Sequence, residues 1–180
     1  MNARYVSFFS TLFCLFVLQA PSASAEELLF KKLGVKALEA KPVPQIVLPN
    51  IENNKVDFSI WRGRLVLINF WATWCSPCLT EMPALNRLHE HYRDRGFVVV
   101  AINTDSHEKK RIKTIIRKLK LNFPILLDVE GEISEQLKVS GMPASYLVNG
   151  DGQLLAYIEG SRDWDGKLAH ALVEKFLPVK

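Results

Sequence analysis

Leu65-Val66-Leu67-Ile68-Asn69-Phe70-Trp71-Ala72-Thr73-Trp74-Cys75-Ser76-Pro77-Cys78 is the stretch on which the fold turns. Its first seven residues form an apolar run led by Leu, Val and Ile and closed by aromatics, the pattern of a buried strand. Beyond Cys78, from Leu79 to Arg93, Met82, Leu85, Leu88 and Tyr92 recur close to helical spacing and predict an amphipathic helix. Cys75 therefore falls where a strand hands over to a helix. The first turn of a helix leaves N–H groups unpaired and carries a partial positive charge, so a sulfur placed there is favoured as the thiolate. Two thiols at such a junction point to exchange between dithiol and disulfide.

Working outward toward the C-terminus, Phe97 to Ile102 repeats the buried-strand pattern. Asp105 to Lys120 then sets Ile112, Ile115, Ile116 and Leu119 on one helical face, with Lys109, Lys110, Lys113, Arg117 and Lys120 on the other. A short strand at Phe123 to Leu127 and a short helix at Ile133 to Leu137 follow. Ser145 to Val148 and Leu154 to Ile158 read as a hairpin around Asn149-Gly150-Asp151-Gly152. A last helix is expected from Asp165 to Phe176. Toward the N-terminus, Gln45 to Leu48 and Lys55 to Phe58 are able to pair around Asn53-Asn54. This order predicts an α/β fold with a central mixed sheet flanked by helices.

Residues 1–25 are read as a secretory signal peptide. They hold one charge, Arg4, then an apolar stretch, and end in Ala23-Ser24-Ala25, with cleavage expected after Ala25. A retained membrane anchor is the rival, weakened by a stretch that is short for a span and diluted by Ser7, Ser10 and Thr11. Residues 26–41 are charged and mixed and are expected as a loosely attached lead-in. Residues 42–180 are expected as one domain with one core. The chain has 23 Lys and Arg against 19 Asp and Glu; without Arg4 the balance is 22 against 19, too mild to imply a nucleic-acid partner. Of the three cysteines Cys14 lies in the leader, so the mature chain keeps only Cys75 and Cys78. A lone CxxC in an exported chain points to redox catalysis without a structural disulfide framework. His89, His91, His107 and His170 show no ligand spacing and are read as surface residues, and no metal site is expected.

A CxxC before the first long helix of such a pattern reads as thioredoxin-like. Asn69 to Pro83, with its CxxCxxEMP, and Gly141-Met142-Pro143-Ala144-Ser145-Tyr146 resemble the two hallmark segments of exported thioredoxin-like oxidoreductases of the TlpA/ResA type. The N-terminal β-hairpin and the inserted strand–helix segment around Phe97 to Leu127 also resemble that family's elaborated fold. Cys75 is the expected nucleophile and Cys78, one turn on, the resolving thiol. Pro77 suits the first helical turn, where its missing N–H costs nothing, and with Ser76 is expected to tune the redox potential. Glu81 lies one turn deeper than Cys78; the resemblance implies a buried carboxylate able to move a proton as Cys78 reacts. It also implies a cis Pro143 that presents the backbone of Met142 to a substrate strand. Trp74 is expected to border the docking surface and Trp71 to pack in the core.

The resemblance implies a reductant of particular partner disulfides, with apocytochrome c or copper-site proteins as targets and a membrane thiol carrier as electron donor. The redox-active Cys75–Cys78 pair would need no further cofactor. Two other functions fit the same residues. An oxidase or isomerase differs from a reductant by roughly 7 kcal/mol in the poise of one dithiol. A copper-binding chaperone would use both thiolates as ligands.

Overall fold

The computed structural model describes residues 25–106 and 108–178. The leader expected at 1–25, with Cys14, lies outside these residues apart from Ala25, and so does His107. In chain order the elements are α1 (Ala25–Leu33), β1 (Val35–Pro42), β2 (Val47–Pro49), β3 (Lys55–Asp57), β4 (Leu65–Trp71), α2 (Ser76–Tyr92), β5 (Phe97–Asn103), α3 (Lys109–Leu119), β6 (Ile125–Leu127), α4 (Glu132–Gln136), β7 (Ala144–Val148), β8 (Gln153–Glu159) and α5 (Lys167–Phe176).

Six strands form one mixed sheet in the order β1-β8-β7-β4-β5-β6, while β2 and β3 pair separately as an antiparallel hairpin. β4 lies inside the sheet, parallel to β5 and antiparallel to β7. It is buried at every position, which is why it reads as an unbroken apolar run and not as an alternating one. Its side chains still alternate between faces, with period two. Leu65, Leu67 and Trp71 join the core beneath α2, α3 and α5, whereas Val66, Ile68 and Phe70 join the core beneath the β2–β3 hairpin and α4. Asn69 shares the face of Leu67 and Trp71, and so points toward α2.

Two expectations are corrected. The lead-in at 26–41 is not loosely attached: it forms α1 and nearly all of β1, which pairs antiparallel with β8 and extends the sheet by a strand. Phe30, Leu33 and Val35 are buried, and burial of such side chains outweighs the weak local periodicity of the segment. The histidines are not all at the surface. His89 is buried on the inner face of α2, where its Nδ1 accepts the Val99 N–H at 3.3 Å, and the half-buried His170 shares a 2.9 Å hydrogen bond with the Tyr92 hydroxyl. His91 is exposed as expected.

Candidate functional site

The site is built where β4 ends. Trp71 closes the strand, Ala72 to Trp74 make the turn, and Cys75 is the N-cap of α2. Cys75 has extended backbone angles, and its Sγ accepts the Cys78 N–H at 3.3 Å, so one of the unpaired donors of the first turn is spent on the sulfur. Pro77 occupies that same turn. Cys75 and Cys78 are joined as a disulfide with Cα atoms 5.3 Å apart. Cys78 is fully buried and Cys75 is 4% exposed, so what little of the pair is open to solvent belongs to the first cysteine. Ser76 and Pro77 are exposed, and Trp74 stands 67% exposed beside them.

Asp105 holds the turn from behind. Its Oδ2 accepts the Thr73 N–H at 2.7 Å and the Asn103 amide at 2.8 Å. Arg111 donates to the Thr73 carbonyl at 3.3 Å from the start of α3. The second loop arrives because β7 lies antiparallel to β4, with Ala144 opposite Phe70. This register brings Met142 and Pro143 to the end of the sheet that carries the cysteines. The Met142–Pro143 peptide is cis, and the Pro143 carbonyl accepts the Gly160 N–H at 2.8 Å. Met142 packs against the core cluster that contains both cysteines, and its sulfur accepts from the Thr104 hydroxyl at 3.4 Å.

Beneath the disulfide lies a buried carboxylate. Glu81 is 4% exposed, and its oxygens accept Asn69 Nδ2 at 3.0 Å, the Arg162 N–H at 3.0 Å and Trp164 Nε1 at 3.1 Å. Burial pushes its pKa above the ordinary value, and the donors from Arg162, Asn69, Ser161 and Trp164 pull against that rise without cancelling it. Asn69 also reaches Ser145 Oγ at 3.1 Å, so the same amide ties β4, β7 and α2 together. Its Oδ1, the Trp71 indole N–H and the Thr73 hydroxyl are buried without a hydrogen-bond partner.

Cys75, Cys78, Glu81, Ser76, Pro77, Trp74, Met142 and Pro143 thus lie at one end of the sheet. Asn69, Arg162, Trp164 and Asp105 belong to the same site and were not singled out from sequence. Asn69 carried a signal, as the lone polar residue of a fully buried strand; Arg162 and Trp164 carried none, being some 80 residues from Glu81. Among the described residues no group of three or more His, Cys, Asp or Glu is arranged to hold a metal.

Comparison with known proteins agrees with this geometry. Residues 40–157 match the AhpC/TSA family. The thiol-disulfide oxidoreductase ResA of Bacillus thuringiensis is 33% identical over 122 residues, covering 68% of this chain and 70% of that protein. The thioredoxin-like protein YneN of Bacillus subtilis is 36% identical over 124 residues, 68% of this chain and 71% of that one. Among solved structures, a Chlorobium tepidum chain assigned as thiol:disulfide interchange protein DsbE superposes with a TM-score of 0.72 at 28% identity, covering 79% of this chain and all of that one. The chain belongs to the AhpC/TSA family, and within it to the thioredoxin-fold thiol-disulfide oxidoreductases of the ResA kind.

Proposed function

We propose that this oxidoreductase works outside the cytoplasm as a reductant of particular protein disulfides, with Cys75 as nucleophile and Cys78 as resolving thiol. One observation carries the assignment of roles: Cys75 caps α2 with its sulfur on a backbone N–H, while Cys78 is wholly buried behind it. The capping position favours a thiolate on Cys75, and burial disfavours one on Cys78 until its turn comes.

In the dithiol state the Cys75 thiolate attacks one sulfur of a substrate disulfide. A Cys75–substrate S–S bond forms, the substrate S–S bond breaks, and the departing thiolate takes a proton. Cys78 then gives up its proton, for which the Glu81 carboxylate is the nearby acceptor, and attacks Cys75 Sγ. The mixed disulfide breaks, the reduced substrate leaves, and the Cys75–Cys78 bond closes. Two electrons have passed to the substrate. A membrane thiol carrier restores the dithiol by the reverse exchange. Trp74 and the backbone of Met142, offered beside Pro143, receive the substrate segment as an added strand, while Ser76 and Pro77 set the potential.

The leader-like residues 1–25 support export, and the periplasm is the compartment that suits a lone reducing CxxC. Apocytochrome c and copper-site cysteines are the target types proposed. Cys78→Ala is expected to accumulate mixed disulfides on Cys75 when incubated with an extract of that compartment, and Cys75→Ala to accumulate none. Recovery of no partner would remove the specific-reductant reading. Equilibration with glutathione fixes the direction: a potential close to the strong oxidants, at about −120 mV, would contradict a reductant.

A further inference from the structure

Charge on this chain is concentrated in one place. Residues 109–120 hold seven cations (Lys109, Lys110, Arg111, Lys113, Arg117, Lys118 and Lys120) and no acid, so of 23 Lys and Arg only 16 remain against 19 Asp and Glu elsewhere. The chain is a basic helix set on an acidic body. Lys109 is held by Asn53, and Arg111 by the Thr73 carbonyl. Among the described residues no ion pair reaches the other five. A solvated face needs no partner, but this one borders a depression in the surface.

Between α3 and the turn joining β2 to β3 runs a groove in two lobes of about 340 and 330 Å³, which share Ile51, Glu52 and Ile116. One lobe is floored by Phe123 and Pro124 and bordered by Ile60, which is 65% exposed. The other is rimmed by Lys110, Lys113 and Arg117. Glu52 is the one acid in either lobe. The first turn of α3, whose Lys110 rims the groove, also reaches the turn that leads to Cys75, where Arg111 bonds the Thr73 carbonyl. An apolar floor with a cationic rim complements carboxylates interspersed with apolar side chains. The lobes are concave. A bilayer surface is met by protruding apolar side chains, whereas hollows receive side chains from a protein segment.

We infer that the groove between α3 and the β2–β3 turn docks an acidic, apolar-studded segment of the disulfide-bearing protein substrate and steers that disulfide to Cys75. The inference rests on the reductant reading for the steering and on charge and shape for the docking. Opposed charge of this kind raises association rates by about 10- to 1,000-fold and fades as salt screens it.

The test uses the full chain and three synthetic peptides that carry the same internal disulfide flanked by leucines interspersed with glutamates, lysines or serines. Binding is read by fluorescence anisotropy on the disulfide form, and reduction by stopped flow on the dithiol form. The glutamate peptide is expected to bind and to be reduced at least about tenfold faster than the lysine peptide at low ionic strength, with the advantage gone near 0.5 M salt. The triple variant Lys110→Glu, Lys113→Glu, Arg117→Glu is expected to abolish that preference while reducing the serine peptide at the parental rate. Ile60→Ser is expected to weaken binding of the glutamate peptide without altering the serine rate. Equal rates for the glutamate and lysine peptides, or a preference that survives the triple variant, would overturn docking at this groove. Groove-dependent binding to phosphatidylglycerol vesicles or self-association, with no advantage for the glutamate peptide, would overturn it in favour of a lipid surface or a second copy. Failure to reduce even the serine peptide would count against the reductant reading alone, since the anisotropy measurement is independent of electron transfer.

Discussion

The indole N–H of Trp164 lies 3.1 Å from Glu81 Oε2, joining the segment before α5 to the second turn of α2 across 83 residues. The contact feeds a hydrogen-bond donor to a carboxylate that burial would otherwise push higher still. Trp164→Phe keeps an aromatic ring, though a smaller one, and removes the donor. The Glu81 pKa should then rise further, and the pH at which Cys78 resolves a mixed disulfide should shift upward with it. Stability should fall by about 1–3 kcal/mol for the lost buried hydrogen bond. A resolution rate with an unmoved pH profile would separate Trp164 from the proton path.

Glu81 also leaves a mark on stability. Its folded pKa is raised, so the native state favours the protonated acid. That contribution is whole below the ordinary value of 4.5 and is lost as pH climbs through the folded-state pKa. Glu81→Gln cannot titrate. The difference in Tm between the variant and the parent should therefore move in the variant's favour between about pH 4 and pH 8, whatever its sign at the start. Thermal melts across that range check the trend; a constant difference contradicts it.

His89 carries the opposite sign. Burial, with Arg93 adding to it, holds the ring below its ordinary value of 6.5, and its Nδ1 must stay unprotonated to accept the Val99 N–H. Its stabilising contribution is present above 6.5 and is lost as pH falls through the folded-state pKa. His89→Gln retains an acceptor that does not titrate, so the variant should lose less stability than the parent on acidification. Chemical denaturation at a series of acidic pH values reads the slope directly.

Asp105 anchors the turn that delivers Cys75. Asp105→Ala takes the acceptor from the Thr73 N–H and leaves Asn103 Nδ2 with its longer 3.5 Å contact to the Trp71 carbonyl. A cost of about 1–3 kcal/mol is expected for the buried Thr73 N–H left unpaired, and Tm should fall by about 2–4 °C per kcal/mol in a domain of this size. Asp105→Asn keeps one acceptor oxygen and should recover part of the loss. The rate of Cys75 alkylation in the dithiol form reports whether the turn has loosened, and a parental rate in Asp105→Ala would show that it has not.

The parts of this molecule that were legible in the sequence are those whose physics is local. β4 and β5 read as strands because burial on both faces leaves each almost wholly apolar, with one asparagine apiece. Cys75 and Cys78 read as a redox pair because spacing and a strand-to-helix junction suffice. Residues 35–42 were illegible as a strand for the converse reason: at the sheet edge only Val35 is buried, and pairing with β8 is a tertiary event that leaves no alternation to read. His89 sat in a helix whose apolar face was correctly traced, yet a histidine buried to satisfy a strand N–H has no signature of its own. Spacing put Glu81 one turn beyond Cys78 and the family resemblance implied its burial, but neither pointed to the residues that hold it, since Arg162 and Trp164 meet it only after the chain has folded back.

Arg162 binds more than Glu81. Its Nε donates to the Leu33 carbonyl at 2.6 Å, at the end of α1, while its backbone N–H serves the carboxylate. Gly34 leaves room for the guanidinium, since a Cβ there would lie 2.7 Å from Arg162 Nη2 and φ is +63°. Anyone trimming this protein to begin at residue 42, where the punctuating prolines invite a cut, would sever that strap and bare the outer edge of a seven-residue strand. The shortened polypeptide would keep every residue of the disulfide centre yet be prone to stick to itself, and its internal acid would have lost an outrigger. Where the chain is cut is therefore expected to bear on the acidity of Glu81, nearly forty positions downstream.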